Sequence, residues 1–170
     1  MAGSFTKDVV ASSLGAEWVG YLMALRNLAG VASGVLLGRW SDSVGRFPCY
    51  LLALSCEGVM AVAMVSGFWR TAPERQHAML LVLATFQGIG NVGSYTLLRA
   101  LMGDLFEGAE VGVAMSAMGL FASVASTVGF FVGPVLSVEL KGLVLLGLWV
   151  SAFAAGMAAL RPAAAARKRL

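Results

Sequence analysis

The sequence predicts an all-α polytopic membrane protein, a bundle of about five transmembrane helices, and three observations lead there. Of 170 residues, 59% are hydrophobic and only 12% charged, more apolar surface than a soluble domain of this size can bury. Apolar runs long enough to cross a bilayer recur to the end of the chain, so lipid is the solvent for most of it. The charges gather in short turns between those runs, above all in residues 38–48, G-R-W-S-D-S-V-G-R-F-P.

A spanning helix needs about 20 mostly apolar residues, which gives spans at residues 17–37, 48–68, 78–98, 111–136 and 142–160. Residues 1–16 are too short and mixed to span and are expected as an extracytoplasmic loop. The first span runs into Gly38, and Pro48 opens the second. Thr71 and Glu74 form a T-x-x-E capping box ahead of the third, with Pro73 in its first turn, where a missing N–H is harmless. Pro134 is expected to kink or end the fourth after Gly133. Residues 17–160 thus form a five-helix bundle with short connections, as between antiparallel neighbours, and residues 161–170 are a basic cytoplasmic tail.

Lys and Arg gather on the cytoplasmic side of membrane proteins. With the N-terminus outside, the inner side holds Arg39, Arg46, Arg99, Arg161, Arg167, Lys168 and Arg169, and the outer side Lys7, Arg70, Arg75 and Lys141, seven against four. That asymmetry predicts N-out, C-in. The net charge of +3 is dispersed over loops and tail, so no nucleic-acid partner is expected. Neither a myristoylation nor a prenylation signal is read, since Ala2 follows Met1 and the chain closes on Arg169 and Leu170.

Enzymatic chemistry has little to stand on. Cys49 and Cys56 lie two turns apart on one helix, about 10 Å, too far for a disulfide, and His77 is the one histidine, so no metal set is expected. Gly88, Gly90 and Gly93 spell G-x-G-x-x-G, but inside one apolar span, without the strand-turn-helix setting that a dinucleotide site requires. Neither catalysis nor a cofactor is expected.

Helical periodicity then sorts the faces. Gly20, Met23, Asn27, Gly30, Gly34 and Gly38 share an arc of about 80° on the first helix, and small residues let membrane helices approach closely. Arg26 flanks this face in mid-span, where a charge costs about 2.5–3.5 kcal/mol and must face a partner or a cavity. Glu57 lies at a similar depth on the second helix, about 14 Å from the hairpin against about 18 Å. The two are expected to pair; otherwise Arg26 faces an aqueous cavity. On the third helix Gln87, Asn91, Ser94 and Tyr95 share a side, as a water-accessible cavity or interhelical hydrogen bonds would require. On the fourth, Gly112, Ser116, Gly119, Ser123, Ser126 and Thr127 share a face expected to pack tightly.

Gly38, Asp42, Gly45 and Arg46, read as G-x-x-x-D-x-x-G-R, resemble the signature loop of major facilitator superfamily transporters, with Ser43 and Phe47 where that family usually carries basic residues. More of the chain is similar to the Unc-93-like branch: F-T-K-D-V-V-A-S-S-L-G at 5–15, W-V-G-Y-L-M at 18–23 and L-L-R-A-L-M-G-D-L-F-E-G at 97–108. The resemblance implies the eighth to twelfth helices of a twelve-helix transporter, so a missing N-terminal half, another copy or another membrane protein becomes a partner beside the lipid bilayer. It implies a small-solute pathway along Asn27, Gln87, Asn91, Ser94 and Tyr95, with Arg26 at its margin. Gly38, Asp42, Gly45 and Arg46 would form the gating loop, with Asp42 bracing one gate state. The alternative it implies is a non-transporting regulator or scaffold for ion-channel or receptor helices.

Overall fold

The computed structural model describes residues 10–11, 14–68 and 73–167, the side chains of 73–74 and 159–167 excepted. Thr71, the Glu74 side chain, residues 1–9 and residues 168–170 lie outside the described residues, and with them the capping box and most of the expected leading loop. Five long helices follow one another: α1 Ala16–Val44, α2 Arg46–Ser66, α3 Pro73–Leu105, α4 Ala109–Val132 and α5 Val138–Arg167. Each is long and apolar enough to cross a membrane. The protein is an integral, multi-pass membrane protein.

The helices overrun the expected spans because few of the charged turns contain a residue that forbids helix. Nothing between Gly38 and Val44 breaks α1, which continues through the stretch read as a hairpin. The break falls at Gly45 alone, at φ +103°, ψ 148°, a region open only to glycine; its N–H donates to the Ser41 carbonyl at 3.0 Å. Gly67, at φ +63°, ends α2 in the left-handed conformation, as helix-terminal glycines do. α4 stops at Val132, and Pro134 sits in a 3-10 turn, Gly133–Val135, ahead of extended Leu136. α5 runs through Pro162 to Arg167, so most of the expected tail is helical.

Helix order in the chain is not helix order in space. α3 lies between α1 and α2 and packs on both, whereas α1 and α2 share little surface. The three glycines of the G-x-G-x-x-G run make this possible. The Arg26 carbonyl abuts Gly88, and a Cβ at Gly90 would lie 2.5 Å from Glu57 Cγ and 2.9 Å from the Glu57 nitrogen. At 100° per residue Gly88 and Gly90 point about 160° apart, so α3 presents a bare backbone to each neighbour. Gly93 makes room for Leu37 and Ala53, while Gly30 and Gly34 of α1 receive Val92 of α3. Gly20 and Gly38 have nothing within 4 Å, so the glycine face of α1 is used only in its middle.

Two apolar clusters flank this waist. One gathers Leu22, Met60, Met64, Leu80 and Leu83; the other gathers Leu37, Tyr50, Leu54, Leu97 and Leu101. α5 covers the far side of α2 through Gly142, Trp149 and Gly156, spaced seven apart and so on one face. Gly142 meets Val65, Gly156 meets Tyr50, and the Trp149 Nε1–H donates to the Leu54 carbonyl at 2.6 Å. Gly58 leaves space for the indole, whose Cε2 would be 2.5 Å from a Cβ there. α4 differs from the other four. None of its residues is buried, and Gly112, Gly119 and Gly129 have nothing within 4 Å. Its small-residue face, expected to pack tightly, meets no other described helix because α1, α2 and α5 use their contact faces on α3 and on one another.

Gly88→Leu, which drives a side chain into the Arg26 carbonyl, should destabilise the bundle by more than the 1–3 kcal/mol typical of overpacking. Gly20→Leu, into open space, should stay within about 0.5 kcal/mol of wild type. Thermal unfolding followed by size-exclusion chromatography in detergent reads both.

Candidate functional site

With α3 clasped on two sides, its third side carries the polar residues. Gln87, Asn91, Ser94 and Tyr95 fall within an arc of about 100°, and Asn91 and Tyr95 are exposed. Tyr95 is held by Arg99: the guanidinium lies 4.5 Å from the ring centroid and its Nη2 donates to the Tyr95 hydroxyl at 3.2 Å. The Ser94 hydroxyl donates to the Asn91 carbonyl at 3.3 Å. Across from α3, α1 contributes exposed Asn27 and half-buried Arg26. The Arg26 Nε and the Gln87 Oε1 are both fully buried, and neither has a hydrogen-bond partner. A groove of about 950 Å³ is lined by Val59, Val62, Val82, Phe86 and Trp149. It opens on the opposite side of α3, where Val82 stands about 180° from Asn91, and its apolar lining suits lipid tails.

Arg26 and Glu57 form no ion pair. The depths agree, but adjacency does not: α3 stands between the helices that carry them, with Arg26 against Gly88 and Glu57 against Gly90. Reasoning from a short connection made α1 and α2 neighbours, and the glycines of α3 separate them instead.

The gating-loop residues also fall apart. Gly38 meets open space and Gly45 makes the turn. Asp42, expected to brace the gate, is exposed on the last turns of α1 and makes no ion pair or hydrogen bond among the described residues. Arg46 is turned by Gly45 toward α3, where its Nε lies 3.0 Å from Asp104 Oδ2, both side chains about a quarter to a third exposed. Asp104 was missing from the sequence reading. Its signal was present: it is an acid at the end of the third span, on the same side of the membrane as Arg46. Trp149 was missed as well, though its seven-residue spacing from two glycines marks the face of α5 that packs.

The family to which the chain belongs is decided by comparison with known proteins. The family model of the Major Facilitator Superfamily matches residues 2–169. The chain belongs to the Major Facilitator Superfamily. Among curated relatives, the protein unc-93 homolog A of Bos taurus is 27% identical over 91% of this chain and 33% of its own length. The human protein of the same name is 27% identical over 87% and 32%. The MFS transporter asaE of Aspergillus flavus is 29% identical over 69% and 25%. This Major Facilitator chain therefore spans about a third of the length of the relatives it matches first. No solved structure matches it.

In this member of the superfamily, Arg46 and Asp104 tie the start of α2 to the end of α3. Partly exposed pairs contribute up to about 1 kcal/mol. Arg46→Glu should lower thermal stability by about that amount, and the double change Arg46→Glu with Asp104→Arg should recover most of it. The corresponding swap Arg26→Glu with Glu57→Arg should recover nothing lost in its single variants, because α3 keeps those side chains apart.

Proposed function

We propose that the chain is the membrane bundle of a major-facilitator transporter and that a small solute passes along the face formed by Asn27, Gln87, Asn91, Ser94 and Tyr95. One observation carries the reading. α3 is clasped by α1 on one side and α2 on the other, yet its open strip is amide and hydroxyl rather than aliphatic. Polar side chains facing lipid are costly, so such a strip belongs against water or another polar surface. Alternating access in this superfamily places the solute near the midplane between two helical halves. Arg26 and Gln87 sit at that depth, and the Arg46–Asp104 pair closes the inner ends of α2 and α3, where release or entry of solute would require movement. The matching half comes from a partner, whether a further segment or another membrane protein, and the solute path lies where that half meets α1 and α3.

A second reading, a regulator that docks other membrane helices, draws support from α4. Gly30 and Gly34 of α1 are used within the bundle, whereas α4 carries a continuous small-residue surface at Gly112, Ser116, Gly119 and Ser123 with no buried residue. Their hydroxyls leave this surface undemanding: Ser123 donates back to the Gly119 carbonyl and Thr127 to that of Ser123, each at 2.9 Å.

Reconstituted into proteoliposomes, the protein should support solute flux that Asn91→Leu abolishes without lowering its melting temperature, since Asn91 is exposed. Unchanged flux in that variant would sink the pathway. Gly119→Leu should leave stability within about 0.5 kcal/mol of wild type; loss of a co-purifying membrane partner in this variant, in the absence of any flux, would favour the docking reading.

A further inference from the structure

Beside the polar face stands Arg26, a cation with no ion pair among the described residues. It makes no hydrogen bond among them either, and its Nε is fully buried. Among the described residues no acid pairs with it. Glu57 lies on the other side of α3 beside Gly90. Asp104 pairs with Arg46. Glu17 is nine residues away along α1, about 14 Å, and exposed. The second cation on the face, Arg99, is folded onto Tyr95, so the strip from Arg26 to Arg99 carries two positive charges on a wall of amides and hydroxyls. Beside Arg26 sits the complementary orphan: Gln87, next to the glycine against which the Arg26 backbone rests, has a buried carbonyl oxygen that accepts nothing.

We propose that Arg26 and Gln87 are the recognition pair for a small organic anion. The guanidinium takes the carboxylate of the solute, and the Gln87 Oε1 accepts from a hydroxyl or amino group carried next to that carboxylate. The pairing explains why a buried donor with a full charge and a buried acceptor stand empty at the same level of the same helix interface. It also gives the absence of an acid partner a use, because an internal carboxylate would compete with the solute for Arg26. The backbone contact at Gly88 fixes α1 against α3, so the two groups are held ready rather than assembled by the ligand. The inference rests on the transport reading only for its consequence, movement of the anion; the binding site stands or falls separately.

Propionate and lactate differ by one hydroxyl and serve as the acidic probes, with glycerol as the neutral and choline as the cationic control. In the full chain purified in detergent, both acids should raise the melting temperature saturably, lactate at lower concentration, and neither control should. Arg26→Gln should weaken lactate about ten- to a hundredfold, the range a charge-assisted hydrogen bond spans. Gln87→Leu should erase the preference for lactate over propionate while leaving propionate itself unchanged. Should Arg26→Gln fail to fold, Arg26→Lys keeps the charge without the Nε–H and should fall between wild type and the loss. Equal stabilisation of wild type and Arg26→Gln, stabilisation by choline in place of the acids, or no response to either acid overturns the proposal. Saturable, Arg26-dependent lactate binding without lactate flux upholds the anion site and removes the transport reading. Flux of a neutral or cationic solute that Arg26→Gln does not alter does the reverse.

Discussion

The close approach of two backbones at Gly88 is the constraint on which the rest of the bundle depends. The Arg26 carbonyl rests where a side chain would otherwise project from α3, and Gly30 accepts Val92 one turn along α1. Between membrane helices burial of apolar surface supplies no net drive, so contact at van der Waals range must hold the pair. Only glycine permits that range on both helices. Gly90 repeats the arrangement toward α2, so one short run of glycines makes α3 the common wall for two helices that are consecutive in the chain. α5 then reaches the bundle through α2, by way of Gly58 and Trp149.

Everything polar follows from that placement. Because α3 stands between α1 and α2, Arg26 and Glu57 look onto different sides of it, and each has to meet its own surroundings. Glu57 lies against Gly90; Arg26 has no acid partner among the described residues. The Arg26 Nε and the Gln87 Oε1 are left buried without a hydrogen-bond partner. The start of α2 and the end of α3 are joined differently, through Arg46 and Asp104, a pair that exists because Gly45 turns α2 back at a single residue. One helix interface thus sets where the charge stands, and one glycine turn sets where that pair stands.

α4 marks the boundary of what this chain encloses. Its residues are apolar enough to span, yet none is buried, and its glycines face nothing in the described residues. A helix of this kind is complete only against other protein or lipid. A chain of one third the length of its relatives, with an exposed polar strip on α3 and an unoccupied small-residue face on α4, presents two surfaces of opposite chemistry to whatever completes it. The strip suits water and solute; the α4 face suits another helix.

Helix number, approximate spans and membrane residence were legible in the order of residues, because length and apolarity are local properties and lipid leaves few alternatives to helix. The polar face of α3 was legible for the same reason: Gln87, Asn91, Ser94 and Tyr95 share a side by helical period alone. Which helix stands beside which was not. The G-x-G-x-x-G run looked like a dinucleotide decoy and nothing more, and the short turn at Gly45 argued for α1 against α2. Tertiary packing put α3 between them, separated Arg26 from Glu57, gave Arg46 to Asp104 instead of leaving Asp42 to brace the loop, and left α4 uncovered. Those outcomes depend on which bare backbones meet in three dimensions, a nonlocal choice that periodicity along one helix does not encode.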